Sequence, residues 1–420
     1  MRVLGHLPLD AVFKTLLGRL ARRGHDVRST MSFGDFRRAL PWADVVLMNY
    51  TKNDAPRYTA KVLASALASA FARRPLMLFF SVDPVDLCDR PIQRLFLGAV
   101  NLTVTTLSAR VGVLRTRTHI LDRYAVPAGK RFEFENYPDR ALWAGGDEPA
   151  LPPVGSGAGF EGRPAEHRQG AVADAGAPVG GRGAGRGAPG PAEEARRRVD
   201  AVLARVAAER AADPRTIVFL YHGELLWWHG LELFEPVARA LEEQGSRPLV
   251  IVAGHLYDSV FRCLGLAGSR REAAVKLRLG EFLRRPWVVW LGRVPQAEVR
   301  RLMAVSDFHL TQLRGGARQA ETERRTCLLE AMAAGMVCVH RPTRAVGGPP
   351  FCDGGNIVLA PAAPRTAAQR LVALHRDAAA RRAIGRAAAL TVARHFDLDG
   401  WVVEIEGLMR RIASASTRPR

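Results

Sequence analysis

Short apolar runs alternate with amphipathic stretches over residues 2–140, the alternation breaks off, and it resumes at residue 216. In the first series apolar runs lie at 3–7, 26–29, 45–49 and 76–81, with a helical stretch at 11–21. Strands alternating with helices predict βαβ units and a mostly parallel sheet. Gly24 and His25 stand where such a helix would end, since glycine tolerates a left-handed cap. The second series predicts strands at 216–221, 248–253, 287–291, 308–310, 337–340 and 357–359, with helices such as 231–244 and 296–305 between them. A chain of 420 residues exceeds the roughly 250–300 at which one core usually divides, so each series is expected to be a doubly wound domain of its own.

Between the two series, residues 145–191 are dominated by Gly, Ala, Pro and Arg. Without large apolar residues such a segment cannot offset its ordering entropy, and a disordered insertion is expected. Its arginines lack interleaved aromatics for base stacking, which argues against a nucleic-acid tail. A helix-prone run at 193–212 leads into the second series, and no repeat of solenoid period is visible.

Hydrophobic residues make up 48% and charged residues 24%, the balance of an ordinary globular protein, which points to neither a fibre nor a membrane bundle. The net charge of +20 favours anionic partners: nucleic acid, anionic lipid or phosphorylated ligands. Five cysteines without a CxxC pair indicate neither a disulfide framework nor a zinc site, as suits a reducing cytoplasm. The most apolar segment, 62–82, is interrupted by Arg73 and Arg74, and no signal-peptide core follows the N-terminus. Neither a membrane span nor export is expected. Basic side chains outnumber acidic ones nearly two to one over residues 1–140. Docking on an anionic membrane surface is therefore expected of this half, with 58–73 as a candidate apolar face.

Ligands of doubly wound sheets bind at the carboxyl ends of strands, where helix N-termini attract phosphate. Three loops of the second series qualify: His222, Gly223 and Glu224; Leu313 to Gly316; and the segment running into Leu328, Leu329, Glu330, Ala331, Met332, Ala333, Ala334 and Gly335. Glu330 would stand early in a helix, where the dipole favours a carboxylate that can accept hydrogen bonds from sugar hydroxyls. Taken alone, the same motif also reads as a surface glutamate beside an alanine-rich packing face.

In its wider context, the stretch 215–410 resembles the donor domain of retaining family 4 (group 1) glycosyltransferases. The similar segments occur in the family's order: 217–230; Trp290, Leu291, Gly292, Arg293, Val294 and Pro295 with Glu298 and Val299; Ser306 and Asp307; 328–335; Asp353, Gly354, Gly355 and Asn356; and 394–401. The first half resembles the acceptor domain through 104–108 and the exit at 135–139. The resemblance implies α/β GT-B architecture, with two doubly wound Rossmann-like domains facing a central cleft. It implies an acceptor-side domain over 1–144, an insertion over 145–192, a donor domain over 193–400, and a C-terminal helix with a basic tail over 401–420, packing back on the first half.

The same resemblance implies a nucleotide-diphosphate sugar as co-substrate, with Glu330 at its ribose and Leu329 among the donor-binding residues, and neither cofactor nor metal. Basic side chains and amides would neutralise the leaving diphosphate. The acceptor would be lipid-linked or a glycan, and no nucleic acid would be needed. Three positions depart from the family. Thr322 replaces the glutamate expected eight residues before Glu330, leaving Glu321 or Glu323 to take the sugar-binding role. The arginine and lysine that grip the diphosphate correspond to Glu224 and His229, so Arg314 or Arg318 would have to substitute. Where the family has a histidine and aspartate after the fourth strand, Asp83 precedes Pro84 and reads either as a sugar contact or as a turn. His6 and Asn49 are acceptor-site candidates by position alone. Three functions fit: a sugar transferase in the cytoplasm or on the inner membrane face, a catalytically degenerate partner subunit, and an epimerase on the same architecture.

Overall fold

The computed structural model describes residues 1–7, 11–50, 56–80, 91–115, 118–134, 137–138, 143, 191–225, 229–255, 270–314 and 325–417. Of the expected insertion, 145–192, residues 145–190 lie outside them, whereas Pro191 and Ala192 open a helix, Pro191–Ala212.

The first half is a parallel sheet of β1 (Arg2–His6), β2 (Asp26–Thr30), β3 (Val45–Tyr50), β4 (Leu76–Phe80), β5 (Arg110–Leu114) and β6 (Arg131–Phe134), in the order β2-β1-β3-β4-β5-β6. Its helices are α1 (Ala11–Arg22), α2 (Phe33–Ala39), α3 (Pro56–Phe71), α4 (Pro91–Leu107) and α5 (His119–Arg123). The central strands β3 and β4 are buried at every residue, as a sheet covered on both faces requires. One face packs against α2, α3 and α4 through Phe36, Tyr58, Val62, Ala66, Val100 and Val104. Of the stretch 58–73, expected to offer an apolar face to a membrane, Tyr58, Val62 and Ala66 are thus turned into the core, while Leu67 and Phe71 are exposed.

The second half holds β7 (Thr216–His222), β8 (Arg247–Ala253), β9 (Val288–Trp290), β10 (Phe308–Leu310), β11 (Val337–His340) and β12 (Val358–Leu359), parallel and in the order β12-β11-β10-β7-β8-β9. Its helices are α6 (Pro191–Ala212), α7 (Glu235–Glu243), α8 (Arg270–Leu283), α9 (Gln296–Val305), α10 (Thr326–Ala333), α11 (Pro364–Arg376) and α12 (Ala378–His395). One face of the sheet is covered by α6, α9, α10 and α12, the other by α7, α8 and α11. The stretch expected as one helix over 231–244 begins as a 3-10 turn, Leu231–Phe234, ahead of Pro236.

Several family-like motifs are pins in this scaffold. The Asp307 carboxylate accepts bonds from the Val218 amide (2.9 Å) and from Arg210 (2.8 Å). Burial alone would raise its pKa, but the His375 imidazole 3.6 Å away, the bond from the Val218 amide and the charge of Arg210 hold it below the usual carboxylate range. Asp353 bonds the Leu359 amide (2.8 Å) and Arg370 (2.7 Å), while Asn356 bonds Pro350 O and Thr391 Oγ1.

The last helix, α13 (Leu398–Thr417), packs on the first half. Trp401, Val402, Ile405 and Met409 join Phe13, Leu16, Phe79, Phe132 and Phe134 in one core that closes the second face of the first sheet. Trp401 stacks on Tyr137 with ring centroids 4.8 Å apart. At the edge, Glu406 receives Arg23 Nε (2.7 Å) and Arg410 Nη2 (2.5 Å), with His25 Nε2 at 3.2 Å.

Candidate functional site

The carboxyl ends of β7, β8 and β10 and the start of α10 converge on one locus. Gly223, next after β7, has φ of +112°, a conformation closed to most side chains, and its amide donates to Ala253 O at 3.1 Å. A Cβ on Gly254 would lie 2.0 Å from Gly223 O. Glycine at both positions lets the two strand ends close, so the backbone presents itself to a ligand without side chains in the way.

Glu330 emerges from the second turn of α10, its side chain 17% exposed. His222 Nε2 lies 3.0 Å from Glu330 Oε2, and His222 Nδ1 lies 2.7 Å from His309 Nε2. His309 is fully buried in β10, and burial drives its pKa well below the ordinary histidine value. Trp143, from the segment leaving the first half, is buried with its ring 5.7 Å from that of His222. The first half therefore reaches the site through this indole. Sequence reading missed His222 as a partner of Glu330, because 108 residues separate them.

A second missed residue is Arg325, the N-cap of α10, which is 5% exposed. Its Nη2 donates to Tyr221 OH at 3.2 Å, its Nη1 reaches Thr311 O at 3.4 Å, and its guanidinium carbon lies 5.2 Å from the Tyr221 ring centroid. A Cβ placed on Gly223 would come within 3.1 Å of Nη2. The structure thus sets a permanent cation directly beneath the glycine turn and at the positive end of a helix.

The positions matching the family's arginine and lysine are arranged differently. His229 is buried, with Nδ1 3.1 Å from both Tyr221 OH and Glu224 O, and the Tyr221 hydroxyl donates to Glu224 O at 2.5 Å. Burial pushes the Tyr221 hydroxyl pKa upward, so it stays protonated as a donor. Arg314, expected as a substitute for the missing cations, forms an ion pair with Glu232.

Among the other expected site residues, Leu329 is fully buried in the sheet-facing core, so its side chain is closed to a ligand. Asn49 is fully buried at the end of β3, and its carbonyl accepts from Tyr58 OH at 2.9 Å. His6 bonds Thr30 Oγ1 (2.9 Å) through Nδ1 and Ser65 Oγ (3.0 Å) through Nε2. Burial lowers its pKa to about 4. Both ring nitrogens are thus used inside the first half, the environment of a neutral core histidine. Asp83, Arg318, Glu321, Thr322 and Glu323 lie outside the described residues. Among the described residues no group of three or more His, Cys, Asp or Glu could hold a metal ion.

Two parallel six-stranded sheets, each wrapped by helices, with the last helix returned to the first, make up the GT-B architecture of glycosyltransferases. Residues 250–407 match a family model described as "Glycosyl transferase-like". Over nearly the whole chain the fold is also that of HepE from Anabaena, solved with UDP and glucose (TM-score 0.58, 14% identity, 98% of this chain and 100% of that one). It is similar likewise to sucrose-phosphate synthase from Thermosynechococcus elongatus (TM-score 0.59, 13% identity, 99% and 100%). The catalytic domain of starch synthase IV from Arabidopsis thaliana, bound to ADP and acarbose, is a third such structure (TM-score 0.53, 11% identity, 98% and 99%). A comparison with curated protein sequences finds no match. The chain thus has the GT-B fold, and its residues 250–407 resemble the glycosyl transferase-like family.

Proposed function

We propose that the chain transfers a sugar, with retention, from a nucleotide-diphosphate donor to a lipid-linked or glycan acceptor. The observation that carries this reading is Glu330, a partly open carboxylate beside the glycine turn of Gly223 and above the start of α10. In this arrangement Glu330 accepts the ribose hydroxyls, and the first amides of α10 face the diphosphate. Arg325 adds positive charge where the family's arginine and lysine would have stood, stabilising the diphosphate as the bond to the sugar opens. That HepE was solved with UDP-glucose as well as with UDP supports a nucleotide sugar as the ligand class.

A second reading, a partner subunit that binds nucleotide sugar without turnover, is favoured by one specific observation. Glu224 and His229 are engaged with Tyr221 rather than offering cations to a phosphate. A thermal-shift screen of UDP-, ADP- and GDP-sugars followed by a hydrolysis assay separates the two. A stabilising donor that is slowly hydrolysed is the expected result. Binding without hydrolysis or transfer selects the subunit, and no stabilisation by any donor rejects both.

The first half offers a surface suited to a lipid-borne acceptor. Along α4, Ile92, Leu95, Phe96 and Leu102 are exposed on one side of the helix, and Phe71 at the end of the neighbouring α3 is 84% exposed. Lys61 and Arg94 are exposed on the same two helices, and Arg73 is exposed just past the end of α3. Apolar side chains flanked by cations, each worth about 1 kcal/mol near anionic lipid, suit a membrane interface. Wild-type protein is expected to float with phosphatidylglycerol-rich vesicles at low salt and to be released by high salt. The double variant Leu95→Glu, Phe96→Glu is expected to stay in the pellet fraction. Equal flotation of both proteins would reject this face.

A further inference from the structure

We infer that His222 and His309 form a two-imidazole relay that positions the Glu330 carboxylate for its ligand. The inference rests on the reading of Glu330 as the ribose acceptor.

The proton arrangement follows from the three contacts. An ionised carboxylate only accepts, so His222 must present Nε2–H to Glu330 Oε2 across 3.0 Å. A neutral His222 then has a bare Nδ1, and His309 Nε2, 2.7 Å away, must supply the hydrogen. This leaves His309 Nδ1 as a lone pair, and among the described residues that atom is buried with no partner. The opposite arrangement, with His222 as imidazolium, would turn His309 round and bury an unpartnered N–H. It would also set that imidazolium 2.7 Å from a ring with no exposure to water. A buried N–H without an acceptor disfavours that arrangement.

Each nitrogen in the chain thus has one role. The buried end fixes the tautomer of His222, and Trp143 lies against its ring. The fixed Nε2–H occupies one lone pair of Oε2 and holds the carboxylate in a single rotamer. Oε1 and the other Oε2 lone pair remain for ligand hydroxyls. Without the relay, Glu330 would sample rotamers and lose its ordering on binding, a loss of affinity rather than of fold. His309 cannot touch a ligand, because it is fully buried in the middle of the sheet.

The test measures UDP, ADP and GDP binding by calorimetry and follows the tightest of them through the variants, with melting temperatures in parallel. His222→Leu is expected to weaken binding about tenfold, and His309→Leu about three- to fivefold. In a Glu330→Ala background, both substitutions should have no further effect. His222→Gln, whose amide nitrogen falls where Nε2 stands, should bind like wild type. His222→Asn, whose amide reaches only the Nδ1 position, should bind like His222→Leu. The glutamine and asparagine pair decides the matter even if His309→Leu fails to fold. Losses that persist undiminished in the Glu330→Ala background, or equal binding by the glutamine and asparagine variants, would overturn the relay. Unchanged affinity in Glu330→Ala itself, or a wild type that binds none of the three nucleotides, would instead overturn the reading of the site.

Discussion

Replacing Glu330 by alanine is expected to weaken donor binding about ten- to a hundredfold and to leave the fold intact. Hydrogen bonds to a charged acceptor are worth about 1.5–3 kcal/mol, which sets that range. The fold should survive because the side chain is partly open and contributes no apolar packing; its one described contact is the His222 imidazole. Alanine also suits a helix interior, so α10 keeps its propensity. Calorimetry with the best-binding UDP-, ADP- or GDP-sugar, alongside thermal melting, reads both halves of the expectation. A variant that melts early, with binding lost only in proportion to unfolding, would make Glu330 a structural residue and remove the main support for the proposed function.

The second large effect is expected where the last helix meets the first half. Trp401→Ala should cost about 3–5 kcal/mol, the range for truncating a large buried aromatic. Trp401 is 3% exposed and packs within 7 Å of three aromatic rings, Phe79, Phe134 and Tyr137. Calorimetry should show the transition of the first half moving to lower temperature while that of the second half stays in place. Acid should act on the same contact. Bonds from Arg23 and Arg410 lower the Glu406 pKa from 4.5 to about 2. A carboxylate held below its unfolded value contributes its stabilisation above the unfolded pKa and loses it as pH falls through the folded one. The docking of α13 should therefore weaken between about pH 4.5 and pH 2, and Glu406→Gln should flatten that dependence. Coincident melting of the two halves in Trp401→Ala would show that the helix does not stabilise the first half separately.

The strands with long apolar runs were legible from the sequence, because burial on both faces demands continuous Val, Leu and Phe, as in Val45–Tyr50 and Thr216–His222. The strands Arg110–Leu114 and Arg131–Phe134 were not: the second is four residues long and alternates exposed with buried side chains, a pattern too short to count. Glu330 stood out as a candidate because its motif is contiguous. The relay behind it was not, since His222, His309 and Glu330 meet only when three strand and helix ends converge. Arg325, one of two adjacent arginines, carries no motif of its own in the sequence. His229 shows the opposite failure. Read by alignment it stands in a phosphate-binding position, yet it is buried and bonded to the Tyr221 hydroxyl, so His229→Lys would place an ammonium in the core rather than restore a grip.

The return of α13 also sets an order on the birth of the protein. Phe79, Phe132 and Phe134 leave the ribosome long before Trp401, Ile405 and Met409, the side chains that shield them from water. The half made first is therefore the half finished last, and it waits with one face of its sheet only partly covered while about 260 further residues are translated. A nascent chain stalled just before residue 398 should be the species most in need of a chaperone, and the one most prone to aggregate.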